Sequence, residues 1–172
     1  KGQLEFQAAR SLLELEHQPC QSILVVEFFD DEVAARAAAL VERKLGLRSL
    51  VVPGPKEAEL VWGLRKAGLS LLTGRKGAAK PLTGIEDAVV RPEKLPAYVA
   101  GLEELMTPLG LEASYYGHAA AGLLHVRPVL DVHSAEDLKK FRHLANEVAA
   151  LVRQFKGSLA GEHGVGMARS EF

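Results

Sequence analysis

The sequence predicts an α+β protein built from ferredoxin-like antiparallel sheet units with helices packed on one face. Three observations predict it. Short apolar, β-branched runs alternate with longer segments of helical spacing. The second half reads in the order β-α-β-β-α, the split βαβ arrangement. Capping residues, glycines and prolines fall between these runs and so mark their ends.

Residues 3–16 carry Leu4, Ala8, Leu12 and Leu15 at helical spacing, a first helix ended near Pro19. SILVVEFFDD gives a buried strand over 22–29. Asp30 and Asp31 then offer N-caps for the helix EVAARAAALVERKLG, which Gly46 stops. RSLVVP is the next strand, Pro53-Gly54-Pro55 the turn after it, and Lys56 to about Lys66 a second helix. Together these make a first β-α-β-α lobe over 20–70. GLSLLTGRKGAAKPLTG, residues 68–84, holds Gly68, Gly74, Gly77, Gly84 and Pro81 and reads as a long loop, of a length that is usually functional or disordered. A second lobe over 85–160 follows: strand 86–90, helix Pro92–Leu105, strands Leu111–Gly117 and Leu123–Val129, and helix Ser134–Phe155. Pro92 suits a first helical turn, and Ser134 with Asp137 forms a capping box with Asp in place of Glu. Residues 161–172 read as the start of a truncated C-terminal segment.

Composition narrows the function. With 21 Lys+Arg against 22 Asp+Glu the net charge is −1, which supplies no basic stripe for a phosphate backbone, so no nucleic-acid partner is expected. Apolar runs stay far below the roughly 18 residues of a membrane span, so no transmembrane segment is expected. The single Cys20 cannot form an intrachain disulfide, and the first residues lack the order of a signal peptide. A cytoplasmic location, at most peripheral to the inner membrane, is the expectation. The start at Lys1 and the stop at Phe172 after a glycine-rich motif predict a piece of a longer protein.

Six histidines are present, and His17, His133 and His143 read as solvated or capping side chains. His118 and His125 stand seven apart in YYGHAAAGLLHVRP, around the small-residue turn Ala119 to Gly122. If the flanks are strands, the hairpin carries both imidazoles to one end of the sheet, where one carboxylate such as Glu162 would complete a three-ligand metal site. Two core histidines beside a tight turn would give the same spacing. Glu162 and His163 in SLAGEHGVGMARSEF are adjacent, so in extended chain they point opposite ways and can serve a metal and a substrate atom separately. The flanking glycines permit such an elbow, although a loop entering a helix N-terminus also accounts for them.

GHAAAGLLHVRP and GSLAGEHGVGMARSEF resemble the GHxGDGNLH and GGxxSGEHGxG motifs in the C-terminal domain of FAD-linked 2-hydroxyacid dehydrogenases. These vanillyl-alcohol-oxidase-like flavoproteins include D-lactate dehydrogenase, glycolate oxidase and D-2-hydroxyglutarate dehydrogenase. AELVWGLRKAG and IEDAVVRPEKLPAYVAGLEEL extend the resemblance upstream, and HVRPVLD and ARSEF are most similar to long bacterial members fused to an iron-sulfur region. The resemblance implies a substrate-binding cap domain of an FAD-dependent enzyme that oxidises a D-2-hydroxy acid to a 2-oxo acid by hydride transfer to flavin. It implies His118, His125 and Glu162 as ligands of a divalent metal such as zinc or manganese, and His163 as the general base. Arg65 of the W-x-L-R segment is implied as a clamp on the substrate carboxylate, with Lys80 beside it in substrate binding. FAD would be held mainly by an upstream domain of the same protein, so the isolated fragment should be inactive. Electrons would pass to an iron-sulfur cluster in the parent protein or another acceptor rather than NAD, for which no fingerprint is present. Ala120, Ala121, Gly122 and Leu123 replace the family's GDGN, which leaves the substrate undetermined. Two other readings suit the residues: a non-catalytic ferredoxin-like binding module and a zinc-dependent hydrolase.

Overall fold

The computed structural model describes residues 6–29, 31–52, 54–164 and 166–171. The chain divides into two units, Lys1–Leu71 and Leu72–Phe172.

In the first unit, helix α1 (Gln7–Leu12) is shorter than expected, because Glu14 takes a left-handed φ of 53° just beyond it. Residues 3–5 of the expected helix lie outside the described residues. Arg48 ties down the segment after α1, donating to the Leu13 carbonyl at 2.6 Å and the Gln18 carbonyl at 2.7 Å. Helix α2 (Val33–Glu42) begins after Glu32 with no side-chain cap, so Asp31 does not cap it, and Asp30 lies outside the described residues. It ends before Gly46, at a turn where Lys44 has a φ of 48°.

The strands expected at 22–29 and from Arg48 to Val52 do not pair in any ladder among the described residues, which corrects the β-α-β-α reading of this lobe. Pro53 lies outside them. β-branched residues supply propensity, but a strand needs a partner's N–H and C=O groups, and here Leu24 is 73% and Phe29 88% exposed. Helix α3 (Pro55–Thr73) runs past Lys66, so the expected loop at 68–84 starts only at Gly74. A lone interior glycine such as Gly68 costs a helix only about 1 kcal/mol, too little to end it.

The second unit holds a four-stranded antiparallel sheet. Its strands are β1 (Lys80–Pro81), β2 (Ala88–Val89), β3 (Ala113–His118) and β4 (Leu123–Leu130). β4 is central: β3 covers one edge, while β1 and β2 share the other, pairing at Lys80↔Leu130 and at Ala88↔Leu124. Between those pairs, six residues, 82–87, stand opposite four, 125–128. The two extra residues make a bulge in what is otherwise one edge strand. Gly84 turns it at a φ of 145°, with no room for a side chain because a Cβ would lie 2.6 Å from Phe141 Cζ.

Alternation along β4 sends Leu124 and Val126 to the core and leaves Leu123, His125 and Arg127 on the opposite face. Helix α4 (Leu95–Met106) buries Tyr98, Leu102 and Met106 against that core. Helix α5 (Ala135–Gln154) does the same with Leu144, Val148 and Val152, also four apart. Only half of the expected capping box forms: Ser134 Oγ accepts from the Asp137 N–H at 3.3 Å, but the Asp137 carboxylate accepts from the Asp131 N–H at 2.9 Å instead of from Ser134. A short helix α6 (Gly166–Arg169) follows the glycine-rich motif. No helix among the described residues is long and apolar enough to cross a membrane.

Candidate metal and catalytic centre

β3 and β4 bring two histidines together through their register. His118 pairs with Leu123, and His125 lies two residues further along the same face, a diagonal neighbour. The rings meet edge to face with centroids 5.9 Å apart. The turn between them is a 3-10 turn, Ala119–Ala121, closed by Gly122 at a φ of 72°. Val90 donates its N–H to the Gly122 carbonyl at 3.0 Å, and a Cβ on Gly122 would sit 1.7 Å from Val90 O. Only glycine lets the hairpin tip lie against the end of β2 this closely.

The third component is the segment after α5. Ser158 exchanges two backbone bonds with Val89, at 2.8 and 2.9 Å, which lays this segment along β2. At Gly161 a Cβ would approach Val89 Cγ2 to 2.6 Å and Leu123 Cδ1 to 2.7 Å, so the chain passes there only as glycine. The Asp87 carboxylate, fully buried, then accepts three successive backbone N–H groups: Gly161 at 2.8 Å, Glu162 at 3.2 Å and His163 at 3.0 Å. Burial pushes the Asp87 carboxyl up, but the N–H groups of Glu162, His163 and Gly161 together with the His163 ring outweigh it and hold the carboxyl below its ordinary range.

That elbow aims two side chains. Glu162 Oε1 lies 3.0 Å from His125 Nε2 and 3.6 Å from His118 Nε2. The His163 ring stacks on His125 at 4.8 Å with planes 2° apart, its Nε2 3.9 Å from Glu162 Oε1. His163 Nδ1 faces Glu86 Oε1 at 3.6 Å and Asp87 Oδ1 at 3.8 Å. The tilted Tyr116 ring, 4.8 Å from His125, packs beside it, and Tyr116 OH accepts from Arg127 Nε at 2.9 Å.

The donor chemistry fits a cation. His125 Nδ1 is 2.8 Å from the Glu86 carbonyl, an acceptor, so the ring proton sits there and the Nε2 lone pair faces Glu162. A lone pair and a carboxylate 3.0 Å apart need positive charge between them or on the buried ring. Metal–nitrogen bonds of about 2.0–2.1 Å in a tetrahedron set ligand atoms about 3.3 Å apart, which the observed 3.0 and 3.6 Å bracket. The backbone carbonyl holding Nδ1 is the outer partner that a metal-ligating histidine usually has.

Of the residues singled out from the sequence, His118, His125, Glu162 and His163 come together. Lys80 stays apart: it lies on β1 opposite Leu130, five residues or roughly 17 Å along β4 from His125, with its Nζ donating to the Arg75 carbonyl. Arg65 lies half-buried on α3, in the first unit. His17 and His143 are exposed, and exposed His133 meets Asp131 at 3.1 Å. Sequence reasoning assigned no role to Glu86, Asp87, Tyr116 or Arg127. A signal existed for the first two, since adjacent acidic residues opening an apolar strand in IEDAVV must be buried with partners.

The model of the family of FAD linked oxidases, C-terminal domain, matches residues 3–172. The D-2-hydroxyglutarate dehydrogenase of Haemophilus influenzae is 41% identical over 109 residues, 63% of this chain and 11% of that protein. Its counterpart from Pseudomonas putida is 34% identical over 164 residues, 90% of this chain and 16% of that protein. A D-lactate dehydrogenase of Archaeoglobus fulgidus is 27% identical over 147 residues, 86% of this chain and 31% of that protein. The chain thus spans less than a third of the length of these relatives. Matched along nearly its whole length, the chain belongs to the family of C-terminal domains of FAD-linked oxidases.

Proposed function

We propose that this chain is the substrate- and metal-binding part of an FAD-dependent dehydrogenase that oxidises a D-2-hydroxy acid to a 2-oxo acid. The observation that carries the reading is the convergence of His118, His125 and Glu162 beside His163, with the ligand atoms of the first three within 4.8 Å of one another. The names of the relatives support the substrate class.

His118 Nε2, His125 Nε2 and Glu162 Oε1 would hold a divalent ion such as zinc or manganese, which supplies Lewis acidity toward the substrate's hydroxyl and carboxylate. Oxidation releases a hydride from the carbinol carbon, for which the flavin is the acceptor, and the hydroxyl proton, which this chain must take. His163 suits that role. Its Nδ1 faces the Glu86 and Asp87 carboxylates at 3.6 and 3.8 Å, which favours Nε2, on the Glu162 side, as the atom that would accept. The resemblance alone supports Arg65 as a clamp on the substrate carboxylate and Lys80 as a further substrate contact. An upstream domain would hold FAD, and electrons would leave through an iron-sulfur region or another acceptor.

The complete protein should carry flavin absorbance and reduce a dye with a D-2-hydroxy acid but not its L-isomer. Failure to reduce the dye with any of D-lactate, D-2-hydroxyglutarate and glycolate would sink the dehydrogenase reading. The outer partner of the metal elbow gives a separate expectation. Asp87→Asn places an amide N–H₂ where three N–H groups need acceptors, and zinc affinity should fall about 10–100-fold. Competition against a chromophoric chelator measures it, and an unchanged affinity would remove Asp87 from the metal's support.

A further inference from the structure

Glu86 is buried, at 5% exposure, and the bulge at 82–87 sets its position rather than the alternation of a regular strand. The bulge turns two parts of this one residue toward two histidines. Its main-chain carbonyl lies 2.8 Å from His125 Nδ1, and its side-chain Oε1 lies 3.6 Å from His163 Nδ1. The Gly84 N–H donates to the other carboxylate oxygen, Oε2, and so fixes the group from within the bulge. A buried carboxylate needs donors around it, and Nδ1 of His163 stands where a ring N–H would serve as one.

The neighbouring carboxylate is engaged differently. Asp87 accepts the backbone N–H groups of Gly161, Glu162 and His163, so it holds the elbow and not the ring. Those bonds leave the side-chain torsions of His163 open. The stack on His125, with planes 2° apart, fixes the plane of the ring. A half turn about the outer torsion keeps that plane and exchanges the two ring edges, so stacking alone does not say where either nitrogen points. A partner for Nδ1 does, and Glu86 is the closer of the two carboxylates to that atom, at 3.6 against 3.8 Å. Catalytic hydrogen bonds are often long before substrate binds and tighten with it.

Resting on the dehydrogenase reading above, we propose that Glu86 is the positioning residue of the proton transfer: its carboxylate orients His163 through Nδ1, while its main-chain carbonyl orients His125. The substrate hydroxyl proton passes to His163 Nε2 as the carbinol hydride departs. His163 becomes an imidazolium that donates from Nδ1, and Glu86 stays a carboxylate, balancing the new charge without taking the proton. One bulged residue thereby holds a metal ligand by its main chain and the base by its side chain.

Glu86→Gln in the complete protein tests this, because it keeps the shape and the main-chain carbonyl. Its amide oxygen takes the Gly84 N–H, which leaves the NH₂ facing His163 Nδ1. kcat should fall at least about tenfold, short of the roughly 10²–10⁴-fold that a lost base costs, while KM moves less than about twofold. Zinc affinity should stay within about threefold of wild type, since His125 keeps its carbonyl partner. Glu86→Asp, with its carboxylate one methylene back, should recover part of the lost rate. An unchanged kcat in the glutamine variant overturns the proposal, and so do joint losses in kcat, KM and zinc affinity, which mark a damaged bulge. A readout without turnover separates it from the dehydrogenase reading. Diethyl pyrocarbonate acylates the imidazole nitrogen that carries the lone pair, and residues 157–169 form a tryptic peptide with His163 as its one histidine. An amide donating to Nδ1 moves the ring proton to Nε2, so labelling of that peptide should slow at least about threefold in Glu86→Gln and stay near wild type in Glu86→Asp. That contrast supports Glu86 as the partner of His163 even if no hydroxy acid is oxidised, and equal labelling of wild type and the glutamine variant refutes it whatever the enzyme does. Should the glutamine variant fail to fold, Glu86→Asp decides: a lower kcat at constant KM supports the proposal, and a full kcat refutes it.

Discussion

His125→Ala is expected to lower zinc affinity by well over 100-fold, the largest loss of any single change in this protein. Outer partners alone shift metal affinity by about 10–100-fold, and His125 is both a direct ligand and the residue its outer partners hold. It is 2% exposed, its Nδ1 is fixed at 2.8 Å on the Glu86 carbonyl, and His163 and Tyr116 flank its ring. An alanine there removes a donor whose orientation cost was already met on folding. His118 differs: its side chain is 55% exposed, and it stands further from Glu162, at 3.6 against 3.0 Å. His118→Ala should therefore cost roughly tenfold less than His125→Ala, and Glu162→Gln, which keeps the shape and removes the charge, should fall between the two. Elemental analysis and chelator competition on the purified protein give the order. Wild-type protein without stoichiometric metal would refute the cluster as a metal site, and equal losses at His118 and His125 would refute the argument from preorganisation.

The unequal standing of these two histidines was beyond sequence reasoning, although their pairing was not. A small-residue turn between apolar runs was enough to predict the β3–β4 hairpin, because side-chain alternation then fixes which residues share a face. The helices over 95–106 and 135–154 were legible for a similar reason: proline and the Ser134 cap mark their starts, and apolar residues four apart mark their buried faces. What could not be read was anything set by two extra residues in an edge strand. The bulge at 82–87 decides that Asp87 lies under the 161–163 backbone and that Glu86 lies beside His163, and no periodicity announces it. The first unit failed for the converse reason. ILVVEFF has the composition of a buried strand, but composition cannot name a partner, and the described residues contain none.

His163→Ala should show the opposite pattern to the metal ligands, with kcat reduced about 10²–10⁴-fold and metal content unchanged. The elbow is held to Asp87 through the backbone N–H groups of residues 161, 162 and 163, which an alanine retains, so Glu162 stays where it is. Loss of the ring removes the stack on His125, worth about 0.5–1.5 kcal/mol, a stability change small beside the loss in rate. KM should move little, because the proposed substrate contacts lie at the metal cluster, Arg65 and Lys80 rather than at His163. Exogenous imidazole, able to occupy the vacated space beside His125, should restore part of the rate in the alanine variant and none in the His118 or Glu162 variants. That contrast distinguishes a missing base from a damaged site, since a structural defect would not respond to a small soluble proton acceptor. A His163→Ala protein that keeps its full rate would remove His163 from proton transfer and leave Glu86, the other side chain at that edge, as the next group to change.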